Sequence, residues 1–126
     1  MEAGVTIRLI VTDVAAATAF YTGALGFSKE TETPAFGAVA KGGLKLFLSG
    51  PKSAAGKPLP DGTVQSPGGW NRVMLAVTDI AAEMARLTAA GVRFRSEPVT
   101  GPAGTFAILD DPSGNPIELW QAATHH

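Results

Sequence analysis

The 126-residue chain has no cysteine, and its only two histidines are its last two residues, His125 and His126. The missing thiols exclude disulfides, thiolate metal sites and cysteine nucleophiles. Two histidines at a chain end read as the remnant of a purification tag as readily as biology, so they are set aside from the chemistry. With no other histidine and no Gly-x-Ser-x-Gly segment, a nucleophile-base triad is not expected. Charge of one sign is also lacking: 10 Lys and Arg face 11 Asp and Glu, for a net charge of −1. Such a balance attracts neither nucleic acid nor an anionic membrane. No run approaches the length of a membrane span, and no basic segment followed by an apolar stretch opens the chain. A cytoplasmic location is therefore the expectation.

What is present suits a folded domain. A hydrophobic fraction of 45% against 17% charged residues supplies a real apolar core, and the length fits one compact domain over residues 1–126. Within it a peptide recurs. Val11-Thr12-Asp13-Val14-Ala15-Ala16 returns as Val77-Thr78-Asp79-Ile80-Ala81-Ala82, each time where a strand-like run becomes a helix-like one. The chain reads as two copies of one module, 4–50 and 70–122, joined by a linker over 51–69. Residues 50–69 hold five glycines and four prolines, the composition of a linker or a long ordered loop.

Each module opens on a strand in which aliphatic residues alternate with mixed ones, Ile7, Leu9 and Val11 in the first copy and Val73, Leu75 and Val77 in the second. Asp13 and Asp79 then stand where helix N-caps belong, and capping explains their recurrence better than catalysis does. The first helix is expected over 14–25 with Ala17, Phe20, Tyr21 and Ala24 on its face. Ile80, Met84 and Leu87 give the second helix its buried face; Gly26 and Gly91 close the two. Further strands are expected at 35–40 and 44–48, joined by a Lys41-Gly42-Gly43 turn, and at 93–97, 105–109 and 116–120. Asp111-Pro112-Ser113-Gly114-Asn115 reads as a turn and not as a calcium loop, whose spacing it lacks. The predicted fold class is α+β, two paired β-α-β-β-β modules.

Aligning Phe36 with Phe106 and Gly43 with Gly114 makes Phe47 the symmetry mate of Glu118, and the repeated peptide makes Thr6 the mate of Arg72. Strand alternation then sorts side chains. Ile7, Leu9, Leu46, Leu48, Val73, Leu75, Ile117 and Leu119 share the face under the helices. Thr6, Arg8, Phe47, Ser49, Arg72, Met74, Glu118 and Trp120 share the other, a mixture that suits the wall of a cleft.

Paired β-α-β-β-β modules, Phe20-Tyr21 followed by Leu25-Gly26-Phe27, and a closing Asp111-Pro112-Ser113-Gly114-Asn115-Pro116-Ile117-Glu118-Leu119 resemble the vicinal oxygen chelate superfamily. That superfamily includes glyoxalases, extradiol dioxygenases and bleomycin resistance proteins. The resemblance covers almost the entire chain and implies curved mixed sheets around a cleft, and a homodimer. It also implies four places for metal ligands, which fall here on Thr6, Phe47, Arg72 and Glu118. Only Glu118 is a good ligand: phenylalanine donates nothing, a threonine hydroxyl is feeble and arginine repels a cation. No metal or other cofactor is expected.

Arg72 and Glu118 should instead pair with each other. In one reading Arg72 grips a ligand oxygen while Glu118 accepts a hydrogen bond or acts as a base; in the other the two form a structural ion pair and do no chemistry. Thr6, Arg8, Phe47, Ser49, Trp70, Met74 and Trp120 are the candidate ligand-binding residues, the aromatics lining an apolar pocket. The expected function is metal-independent binding of a small molecule. The alternative is an enzyme of the lyase, isomerase or dioxygenase class, with proton transfer by Arg72 and Glu118 or with a divalent metal at Glu118.

Overall fold

Two runs of alternating aliphatic residues each start a four-stranded sheet in this computed structural model, which describes residues 4–124. In the first module β1 (Val5–Ile10) leads through Asp13 into α1 (Val14–Gly23), followed by β2 (Ser28–Glu32), β3 (Phe36–Lys41) and β4 (Leu44–Ser49). The second runs β5 (Val73–Ala76), α2 (Ile80–Ala89), β6 (Val99–Gly101), β7 (Gly104–Asp110) and β8 (Pro116–Ala122). The fold class is α+β, as the pattern predicts. Sheet orders are β1-β4-β3-β2 and β5-β8-β7-β6, with the first pair of each parallel and the rest antiparallel.

The duplication extends to the register. Ile7 lies opposite Leu46 and Val73 opposite Ile117, while Phe36 lies opposite Ser49 and Phe106 opposite Trp120. These pairings reproduce the alignment made on sequence, and with it the symmetry between Phe47 and Glu118. A one-residue slip in any strand would exchange the two faces.

Contacts divide the described chain into two compact units. One comprises the residues up to Gly68 together with Pro112–Asn115; the other comprises Gly69–Asp111 and the chain from Pro116 onward. In the first, Val39, Leu46 and Leu48 of the sheet are fully buried along with Ala17 and Tyr21 of α1. The buried face of α1 is Val14, Ala17, Thr18 and Tyr21, so Phe20 and Ala24 sit at its margin. In the second, Leu109, Ile117 and Leu119 are buried, as are Ile80 and Leu87 of α2.

Both helices start on their aspartates. Asp13 Oδ1 accepts from the Ala16 amide at 3.1 Å and Asp79 Oδ1 from the Ala82 amide at 3.0 Å. Gln121 Oε1 adds a bond from the Ile80 amide at 2.7 Å. Replacing Asp79 by alanine is expected to cost about 1 kcal/mol, and replacing it by asparagine much less, because asparagine also caps. The urea midpoints of the two variants check this.

Two strands depart from expectation. Ser28–Glu32 is a strand although every residue of it is exposed; Ser-Lys-Glu-Thr-Glu has no apolar alternation to announce it, and charge suits a sheet edge. Residues 93–97 form no strand. Phe94 makes an isolated bridge to Leu109, after which the edge resumes only at Val99. Pro98 lies in the interruption and has no N–H to offer the ladder.

The loop over 51–68 has no helix or strand but is bonded within itself, by Ser53 to Gly50 at 3.0 Å and Leu59 to Thr63 at 2.9 Å among other turns. In one of them the Thr63 amide, with its hydroxyl, holds the exposed Asp61 carboxyl below its usual pKa. The closing turn is tied to the first unit. Asn115 Nδ2 donates to the Ile10 carbonyl at 2.9 Å and its Oδ1 accepts from the Gly68 amide at 2.8 Å. Ser113 Oγ accepts from the Thr12 amide at 2.9 Å. Among the described residues no helix is long and apolar enough to cross a membrane. His125 and His126 lie outside the described residues.

Candidate functional site

Arg72 immediately precedes β5 and Glu118 lies in the middle of β8, opposite Met74 on one side and Ile108 on the other. Nε and Nη2 of Arg72 both reach Glu118 Oε1, each at 2.8 Å, and Nη1 donates to the Trp70 carbonyl at 3.1 Å. The carboxylate is 5% exposed. Both guanidinium N–H groups thus donate to one buried oxygen in short, charge-assisted geometry. The guanidinium carbon also lies 5.9 Å from the centre of the Phe106 ring. Phe106 faces Trp120 in the register, and Trp120 is half-buried.

Around this pair the expected ligand-binding residues fall differently. Met74 is next to Glu118 in the sheet and 55% exposed. The Trp70 ring is 68% exposed and rests on Arg95, whose guanidinium carbon is 4.6 Å from the ring centre. Arg95 is itself anchored by two bonds to Asp110 Oδ1, at 2.9 and 2.7 Å, and reaches the Gly69 carbonyl at 3.3 Å. Two arginines, each tied to an acid, thus hold consecutive carbonyls of the Gly69-Trp70 segment. Arg95, Asp110 and Phe106 were not among the site residues expected from sequence. Phe106 was within reach of it, because the parity that puts Glu118 and Trp120 on or near one face also selects the residues opposite them.

In the first unit the structure gathers Arg8, Phe47 and Ser49. Arg8 lies opposite Phe47, its guanidinium carbon 5.6 Å from the ring centre, and its Nη1 donates to Ser49 Oγ at 3.1 Å. Ser49 is fully buried. Phe36 meets Phe47 edge to face, with centroids 4.9 Å apart. Thr6, exposed and opposite Lys45, lines with Phe47 a cavity of about 490 Å³. Lys45 there pairs with Glu30 at 3.0 Å.

The donors at the four places where the resemblance seats a metal do not fit one. A divalent ion takes about three or more His, carboxylate or similar ligands, and Glu118 is the single donor of that kind. Its Oε1 is already occupied by a guanidinium, whose charge repels a cation. Among the described residues no group of three or more His, Cys, Asp or Glu side chains is arranged to hold an ion.

Comparison with known proteins agrees with the fold. A profile of the Glyoxalase/Bleomycin resistance protein/Dioxygenase superfamily matches residues 5–119. A putative glyoxylase, CFP32, of Mycobacterium tuberculosis is 31% identical over 122 residues, which are 94% of this chain but 45% of that protein. This chain therefore spans about half the length of that relative. YurT of Bacillus subtilis is 31% identical over 125 residues, 93% of this chain and 97% of YurT. Among solved structures, TnmS3, an antibiotic-binding protein from Streptomyces sp. CB03234, superposes with a TM-score of 0.74 at 27% identity, covering 98% of both chains.

Proposed function

Because the chain belongs to the Glyoxalase/Bleomycin resistance protein/Dioxygenase superfamily, we propose that it is a metal-independent small-molecule-binding protein in which Arg72 and Glu118 stand in place of a metal site. The observation that carries the reading is the double bond from Arg72 to Glu118 Oε1 at 2.8 Å. It puts a fixed positive group beside the one carboxylate that would otherwise coordinate an ion, and fills that oxygen. Apolar and aromatic surface beside the pair, from Phe106, Trp120 and the exposed Met74, supplies the flat contact area that small ligands favour. The likeness to the Streptomyces antibiotic-binding protein supports a binding role.

A thermal-shift screen of antibiotics and metabolites, with and without chelator and with metal analysis of the same sample, tests this. The expected result is at least one compound that raises Tm equally in both conditions and is not consumed. A stoichiometric divalent ion lost together with ligand binding on chelation would sink the proposal.

A second reading is an enzyme that uses the same two residues for proton transfer beside a carbonyl. It draws on the burial of Glu118 and on both short guanidinium contacts falling on Oε1, which leaves Oε2 as the oxygen to face a substrate. Here Glu118→Gln abolishes turnover of a ligand found in the screen while the variant stays folded. Retained turnover in that variant removes this reading. A homodimer completes the proposal; size-exclusion chromatography with light scattering should give twice the chain mass, and a monomer at high protein concentration refutes it.

A further inference from the structure

Arg8 of the first sheet and Arg72 beside the second are in opposite states of commitment. Arg72 spends Nε, Nη1 and Nη2 on Glu118 and on the Trp70 carbonyl. Among the described residues Arg8 makes one bond, from Nη1 to the fully buried Ser49 Oγ, and otherwise lies near the Phe47 ring. A guanidinium has five N–H donors and no acceptor, so most of the Arg8 fork has no partner among the described residues. No carboxylate among the described residues pairs with it, and the side chain is exposed. Its position is nonetheless constrained from two sides: the buried hydroxyl holds one end of the fork, and the Phe47 ring lies within cation–π range of the guanidinium carbon. An arginine that served only solubility would need neither.

Symmetry sharpens the contrast. The mate of Arg8 in the second module is Met74 and the mate of Phe47 is Glu118; the pairing of Arg8 with Phe47 corresponds to that of Met74 with Glu118. The first sheet thus carries a cation beside an aromatic ring where the second carries a thioether beside an acid. Ring and cation together suit a ligand with an apolar body and a negative end, since arginine recognises carboxylates through two parallel N–H bonds. Phe47 is also a wall of a cavity of about 490 Å³ lined by Thr6, Leu44, Glu30 and Lys45; Arg8 lies opposite Phe47 in the sheet, beside that space and not in its lining.

We infer that the first sheet has an anion subsite of its own, in which Arg8 takes the carboxylate of a small organic acid whose apolar part lies against Phe47. The inference rests on the small-molecule-binding reading but not on Arg72 or Glu118.

Benzoate, with benzamide as its uncharged counterpart of the same shape, is the probe. Titrated into the isotope-labelled protein, benzoate is expected to move the Arg8 Nε–H resonance to a single-site plateau, with ring shifts at Phe47. Benzamide should bind roughly tenfold more weakly or worse, and Arg8→Gln should lose benzoate affinity by a similar factor, the worth of one charge-assisted hydrogen bond. Arg8→Lys, which keeps the charge without the fork, should fall between the wild type and Arg8→Gln. Equal affinity for benzoate and benzamide, undiminished benzoate binding in Arg8→Gln, or no saturable shift at Arg8 overturns the inference. Benzoate shifts confined to the Arg72 Nε–H resonance would overturn it while leaving the proposed function standing. Saturation at Arg8 alongside a chelator-sensitive, metal-dependent ligand in the thermal screen would do the reverse.

Discussion

Replacing Glu118 by alanine is expected to destabilise the protein by about 2–3 kcal/mol, somewhat below the roughly 3–5 kcal/mol typical when a fully buried pair loses one partner. The discount comes from the arginine. Its side chain is 24% exposed while that of Glu118 is 6% exposed, so water recovers part of the lost solvation. What remains is a guanidinium beside Phe106 with two N–H groups and no acceptor. In a domain of this length such a loss lowers Tm by about 10 °C. The double variant Arg72→Met with Glu118→Met should be more stable than Glu118→Ala alone, because it removes both charges together and refills their volume. Urea midpoints for the three proteins decide it. A Glu118→Ala cost near that of an exposed ion pair, below about 1 kcal/mol, would show that the pair is not a buried one.

Asn115→Ala should cost about 2 kcal/mol. One buried amide satisfies two backbone groups far apart in sequence, the Ile10 carbonyl at 2.9 Å and the Gly68 amide at 2.8 Å, and the residue is 4% exposed. Each orphaned group costs about 1–3 kcal/mol if it stays dry. Gly68 is exposed and regains water readily, whereas Ile10 is half-buried, which places the sum toward the lower end. The local signature separates this from a general loss of packing: amide hydrogen exchange at Gly68 should accelerate more than exchange in β3 or β4. Unchanged protection at Gly68 would mean that the closing turn does not hold the loop.

Much of this architecture is written in short-range patterns. Period-two alternation assigned Ile7, Leu9, Leu46 and Leu48 to one face of the first sheet, and the repeated Val-Thr-Asp peptide located both helix starts. The hydrogen bonds at Asp13 and Asp79 follow from that placement. Alternation failed where burial does not drive it: Ser28–Glu32 is an exposed edge held by its neighbour's backbone, and 93–97 has strand-like residues next to a proline in the gap between the Phe94 bridge and β6. Asn115 was legible as a turn residue but not as a tie, since its partners are 105 and 47 positions away.

From sequence alone came the two-module α+β plan and the symmetry between its halves, because strand parity and internal repetition are periodic and need no knowledge of distant contacts; the pairing of Arg72 with Glu118 was implied by the family resemblance. Only the tertiary structure decided how each arginine is spent. Arg72 is closed by an acid and a carbonyl, Arg8 is steadied by a hydroxyl and a ring with its fork left over, and Trp70 lies on Arg95. A long flexible side chain chooses among the partners that folding brings within reach, and no local pattern encodes that choice.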